Sequence, residues 1–178
     1  GASVEEVSLP LIDKAGAFSK ALTDMEGASV HYKGLKERPN DYDHNTRVRL
    51  LTAILTPAQH YYKAQKLRAM LRQQILDLLE GVDVLVLPTS PTPAPKIPDA
   101  PGVTSREDAD GRIFGVRNFT GPFNLANLPA LAVPCGFTSD NLPISLQIAG
   151  RPFEEGTVMR VGHAYERATD WHTRKPPI

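Results

Sequence analysis

The sequence predicts an α/β fold, and three observations carry that prediction. A long amphipathic helical pattern, residues 58–79, passes through Gly81 straight into the nearly continuous apolar run VDVLVLP at 82–88, and helix followed by strand is the α/β signature. Two more apolar runs, at 130–135 and 144–148, are each too short for a helix and are bounded by Pro or Gly, so both read as buried strands. Between them Thr138, Ser139, Asp140 and Asn141 offer side chains that bond their own backbone and tolerate positive φ, which makes the pair a hairpin.

Taken in order, residues 1–10 alternate Val4, Val7 and Leu9 with polar residues and stop at Pro10, the pattern of a short strand; its abrupt start fits a truncated chain. Residues 11–33 place Leu11, Ala15, Phe18, Leu22, Met25 and Ala28 three and four apart, an amphipathic helix that Gly34 and Pro39 end. A second helix is expected over 43–55, with Val48, Leu51, Ala53 and Leu55 inward and Arg47 and Arg49 on a basic side. Thr56 as N-cap, Pro57 at the first helical position and Gln59 compose a capping box for the third helix. Its buried stripe is Tyr62, Leu67, Leu71, Ile75, Leu78 and Leu79, and Gly81 stands where a left-handed cap residue is expected.

The run at 82–88 is apolar on both alternating faces, as a strand covered on both sides requires. The prolines, 16 in the chain, then cluster in a long loop over residues 89–110, of the length that is more often functional than structural. Thr120, Gly121 and Pro122 open a short capped helical turn before the hairpin. A last helix over 154–169 turns Val158, Val161, Tyr165 and Ala168 inward, with Glu154 and Glu155 at its positive end. Gly156 and Gly162 each weaken it by about 1 kcal/mol relative to Ala.

Composition bounds the function. Hydrophobic residues make up 41% and charged ones 22%, ordinary globular usage, and the length suits one piece over residues 1–178. Twenty basic residues balance twenty acidic ones, which argues against a nucleic-acid surface. No apolar run approaches the roughly 18 residues of a membrane span and no leader pattern opens the chain, so the expected location is cytoplasmic. The single cysteine, Cys135, ends a strand with no cation beside it in sequence and reads as a small buried hydrophobe. His31, His44, His60, His163 and His172 include no metal-binding pair at helical spacing, and Asp108 and Asp110 read as solvated loop charges. No metal and no cofactor is expected.

The run FTGPFNLANLPALAVPCGFTSDNLPISLQIAGRPFEE, residues 119–155, resembles the carboxy-terminal region of the amidase signature family. The matching residues are Phe119, Thr120, Pro122, Asn124, Leu125, Ala126, Leu128 and Pro129, then Val133 to Gly136, then Leu142, Pro143, Leu146 and Gln147. The likeness continues upstream through VDVLVLPTSPTPAP and YYKAQKLR and downstream to WHTRKPP, covering nearly the whole chain. It implies the carboxy-terminal part of an α/β/α sandwich whose mixed sheet is covered by helices.

The resemblance also implies an amide-hydrolysing parent with a nucleophilic serine, a second serine and a lysine. That machinery belongs to a glycine-rich double-serine run which nothing here matches, since the serines of this chain are isolated. The chain is therefore expected to carry no catalytic residue and to show no turnover alone, its partners being a small-molecule amide and the amino-terminal part of the same protein. The resemblance leaves room for a homo-oligomer.

Thr89 and Pro91 match the family's loop after the strand, and Asn118, Phe119 and Thr120 stand beside it as pocket lining, Thr120 being equally explained as a helix cap. In the family's tRNA-dependent amidotransferases, an arginine before Y-x-x-A-x-x-R and an acid just before F-T-x-P are associated with holding glutamine. Arg49 falls near the first position, and Arg117 replaces the acid, which favours a neutral or carboxylate-bearing amide. Either arginine is equally explained as an ion-pair member. Asn127 replaces a family glycine and still suits a left-handed turn. A component of a glutamine-using amidotransferase, and a stand-alone module whose loop 89–110 engages a partner, are the alternative functions.

Overall fold

The structure, a computed structural model, describes residues 1–97 and 119–175. Helices α1 (Ile12–Glu37), α2 (His44–Ile54) and α3 (Ala58–Gly81) lead to strand β1 (Leu85–Pro88). From residue 121 follow α4 (Gly121–Ala126), β2 (Ala130–Phe137), β3 (Pro143–Ala149) and α5 (Glu155–Ala168), with single 3-10 turns at Pro39–Asp41 and Trp171–Thr173. Residues 1–9 form no strand, contrary to expectation: Val4 is 91% exposed, and of the alternating residues only Leu9 packs against a core. An alternating pattern needs a neighbouring ladder, and the described residues give it none.

Along α1 the expected stripe holds at Ala15, Phe18, Leu22 and Ala28, and continues to Leu35 because the helix runs through Gly34. Gly34 serves packing and does not end the helix: a Cβ there would collide with the hydroxyl of Tyr42, which also lies 3.4 Å from His31 Nδ1. The helix ends at Glu37, with Pro39 opening the next turn. Asp43 caps α2, its carboxylate accepting from the Asn45 and Thr46 amides at 3.0 and 3.3 Å. The buried face of α2 is Leu50 and Ala53, not the expected Val48, Leu51 and Leu55. The seam with α1 at Ala28 and Leu35 is narrow, and two side chains three apart fill it.

The capping box of α3 does not form. Pro57 is the N-cap, and the Thr56 hydroxyl donates to Thr52 O at 3.0 Å, closing the last turn of α2 instead. Leu71, Ile75 and Leu79 are buried as expected and Leu67 and Leu78 partly so, whereas Tyr62 is 68% exposed. Small Ala64 makes the close contact at that end of the helix, leaving the Tyr62 ring outside. Gly81 is the last helical residue and not a left-handed cap, for Val82 follows in extended conformation. Carbonyls on either side of it are bonded from outside: Arg151 donates to Leu79 O from Nε and to Val82 O from a terminal nitrogen, both at 2.9 Å. Its other terminal nitrogen meets Glu154 at 3.2 Å.

The three described strands are ordered β1-β3-β2 and are antiparallel throughout. Leu85 lies opposite Ala149, and Ala149 opposite Ala130, which fixes the register and so the two faces. On one face Leu85, Leu87 and Ala149 join Phe18, Leu71, Ile75, Leu79 and Phe123 in the largest core, against α1, α3 and α4. On the other face Leu131, Val133, Leu146 and Ile148 pack with Val158, Val161 and Tyr165 of α5. Helices thus cover both faces, and the α/β class holds.

The strand expected over 82–88 is shorter than its apolar run and lies at the margin of the described sheet. Only Leu85–Pro88 pair, and Val86, opposite Ile148 beside the face that α5 covers, remains 53% exposed. Continuous hydrophobicity signals burial but not the position of a strand within its sheet.

The hairpin forms as read. Thr138 N donates to Leu142 O at 2.9 Å, the Thr138 hydroxyl accepts from Leu142 N at 3.1 Å, and Asn141 takes the left-handed conformation. A bulge at Cys135 interrupts the ladder between Pro134 and Gly136. In α5 the buried residues are Val158 and Gly162, while Ala168 is exposed and Val161 and Tyr165 are half-buried. The missing side chain of Gly162 is what seats the helix, because a Leu131 methyl occupies the space its Cβ would need.

Candidate functional site

The candidate site lies on the sheet face turned toward the large core, where the residue after β1 and the turn entering α4 each attach to β3. Alternation from the Leu85–Ala149 pair places Leu87, Thr89, Ser145 and Gln147 on that face. The Thr89 amide donates to Ser145 O at 3.1 Å, carrying the β1–β3 ladder one residue past Pro88. Gln147 is the one buried polar residue among the described residues, 3% exposed. Its Nε2 donates to Phe119 O at 3.0 Å, so a strand side chain fixes the backbone just ahead of α4.

Of the expected site residues, Thr89, Phe119 and Thr120 therefore attach to one strand, β3, directly or through the adjoining peptide. The Thr89 hydroxyl oxygen is buried and has no hydrogen-bond partner among the described residues, which costs about 1–3 kcal/mol unless another group supplies one. Thr120 stands at the N-cap position of α4, but its side chain makes no cap bond. Arg117 and Asn118, the loop residues 98–110 and with them Asp108 and Asp110 lie outside the described residues.

The structure places Arg49 elsewhere, on α2, in an ion pair with Asp24 of α1, whose carboxylate also meets Lys20 Nζ at 2.8 Å. Cys135 is half-buried at the bulge and not buried, and desolvation pushes its thiol above the ordinary value. It is thus kept protonated at neutral pH, the opposite of an activated nucleophile. Alkylation of Cys135 by iodoacetamide, followed against pH by mass spectrometry, is expected to rise at a higher pH than for the unfolded chain. Among the described residues no three His, Cys, Asp or Glu side chains group as metal ligands, and no helix is long and apolar enough to cross a membrane.

Two arginines of α3 hold the far end of α4. Arg68 donates from Nε to Leu125 O at 2.7 Å and from a terminal nitrogen to Asn127 Oδ1 at 3.0 Å, and Arg72 donates to Ala126 O. These are the last carbonyls of a helix, where a cation is favoured, and Asn127 adopts the left-handed conformation expected of it. Sequence reasoning gave site roles to neither arginine nor to Gln147. A glutamine inside the apolar run ISLQIA was the available signal, since a buried amide must find a partner.

Two clefts open along α1. The smaller, about 240 Å³, lies between α1, α3 and α4 and is lined by Ser19, Thr23, Glu26, Arg68 and Asn124 among others. The larger, about 700 Å³, lies between α1 and the α2–α3 junction. Glu26 lines both.

The profile of the family Amidase matches residues 1–159. Over all 178 residues the chain is 31% identical to an amidase of Pseudomonas putida, and spans 38% of that protein. It is 35% identical to the A-type subunit of the glutamyl-tRNA(Gln) amidotransferase of Bacillus velezensis, with 100% of this chain and 40% of that one covered. Among solved structures, a crystal structure of an amidase superposes with a TM-score of 0.78 at 32% identity, covering 94% of this chain and 38% of the other. The corresponding amidotransferase subunit of Thermotoga maritima gives 0.72 at 30% identity, over 96% and 36%. The chain thus spans about two fifths of the length of these relatives. With the profile, the relatives and the superposed folds in agreement, the chain belongs to the amidase family.

Proposed function

We propose that this chain forms substrate-binding wall and scaffold of an enzyme that hydrolyses an amide C–N bond, with the serine nucleophile and its lysine supplied by amino-terminal residues of the same protein. The observation that carries the reading is the buried, unpartnered Thr89 hydroxyl on the same sheet face as the Gln147–Phe119 anchor, a polar group that calls for a partner supplied from outside the described residues. Thr89, Phe119 and Thr120 line that wall, with Asn118 and Arg117 continuing it, whereas Arg49 of α2, paired with Asp24 of α1, stands apart from it. Val86, and Ala130 and Ala132 of β2, are exposed on the sheet and supply surface for the amino-terminal part to cover. The protein works in the cytoplasm, without a nucleic-acid or membrane surface and without a cofactor.

In the whole protein, ammonia release from a series of small amides is expected, and Thr89→Val is expected to raise KM about tenfold with little change in kcat. Residues 1–178 alone are expected to release none. A covalent acyl adduct on any side chain of this segment would overturn the reading. The glutamine-using amidotransferase reading draws on the 49% identity, over 119 residues, to the corresponding glutamyl-tRNA(Gln) amidotransferase component of a Synechococcus strain. A preference for glutamine over simple amides, together with co-purifying subunits, would favour it.

A further inference from the structure

We propose that the cleft between α1 and the α2–α3 junction binds an organic ammonium ion, an amine or quaternary ammonium carrying a small apolar body. The cleft is an open groove of about 700 Å³, a volume within the range of small-molecule sites. The lining carries three phenol rings, Tyr32 from α1 and Tyr61 and Tyr62 from α3, with Met25 and Ile54 adding apolar surface. Tyr61 and Tyr62 stand edge to face with centroids 6.3 Å apart, so they present differently directed faces.

Charge selects the occupant. Among the described lining residues Glu26 is the one carboxylate, and no Lys, Arg or His accompanies it. Its Oε1 accepts from the Tyr61 hydroxyl at 3.0 Å, and that hydroxyl accepts in turn from Gln65 Nε2 at 2.8 Å. The carboxylate is thereby held in place, while Oε2 makes no hydrogen bond among the described residues. Aromatic faces attract a cation through their quadrupole, and a fixed carboxylate attracts it by charge. An anion meets repulsion from both, and a neutral molecule of the same shape gains only contact.

Calorimetric titration of the whole protein with choline and with its neutral isostere 3,3-dimethylbutan-1-ol tests this. Saturable choline binding is expected, at least about tenfold tighter than the alcohol. Glu26→Gln is expected to weaken it about tenfold and Tyr62→Ala about threefold. Both side chains are exposed, and unchanged melting curves for the two variants would show that folding is intact. Equal binding of choline and the alcohol, absence of saturable choline binding, or no effect of Glu26→Gln would each overturn the proposal. The readout is binding and not turnover, so its outcome is independent of the amide-hydrolysis reading.

Discussion

Phe123→Ala is expected to lower the unfolding free energy by about 3–5 kcal/mol, read as a fall in the urea midpoint at unchanged slope. Phe123 is 2% exposed and is the largest fully buried side chain of the molecule as described. It joins α4 to α1 and α3 in the same core as Phe18, Leu71 and Ile75. Truncation removes the ring's transfer free energy and leaves a void that two long helices cannot close, because Leu71 and Ile75 are already packed. The loss should be felt at the site, for α4 follows directly on the Phe119–Thr120 turn. Phe123→Leu, which keeps most of the volume, is expected to cost less than half as much. Equal effects of the two substitutions would mean that the ring is not packed as described.

Arg151→Ala is the second large effect, expected at about 2–4 kcal/mol by the same measurement. The guanidinium satisfies the carbonyls of Leu79 and Val82, at the end of α3 and just before β1. Hydrogen bonds from a charged donor contribute about 1.5–3 kcal/mol each and are not additive. The pair with Glu154 adds little, since both partners are partly exposed. Arg151→Lys should recover under half of the loss, because an ammonium lacks the planar fork that reaches two carbonyls at once. Full rescue by lysine would assign the stabilisation to charge alone.

What was legible in the sequence divides along physical lines. The helix–strand order and the hairpin could be read because each rests on local chemistry, period and turn side chains, and the left-handed Asn127 because it stands where the resembled family has a glycine and asparagine tolerates positive φ. The errors arose where a distant partner decides. Thr56 gave its hydroxyl to the preceding helix and not to its own. Gly81 needed no left-handed turn because Arg151, seventy residues on, reaches back to the end of α3. The buried face of α2 was set by the two side chains that fit the α1 seam, which no count of apolar residues reveals. Gly162, a weakness of its helix by propensity alone, makes room for a Leu131 methyl. For the candidate site, Thr89, Phe119 and Thr120 were accessible through motif likeness, while Gln147 matched the motif too but its bond to Phe119 was signalled only by a polar residue standing in an apolar run.

The margin of the sheet at β1 bears on how the isolated segment would self-associate. Its strand is four residues long, with the Thr89 amide alone continuing the ladder, and Pro88 has no amide hydrogen to offer an incoming chain. Fibril-like growth by repeated strand addition is therefore poorly templated there, and Val86 provides the stickiness through its side chain instead. Association through the β1 margin should accordingly be amorphous and dispersed by mild detergent, and the opposite margin, β2, is interrupted by Pro134 and the bulge at Cys135.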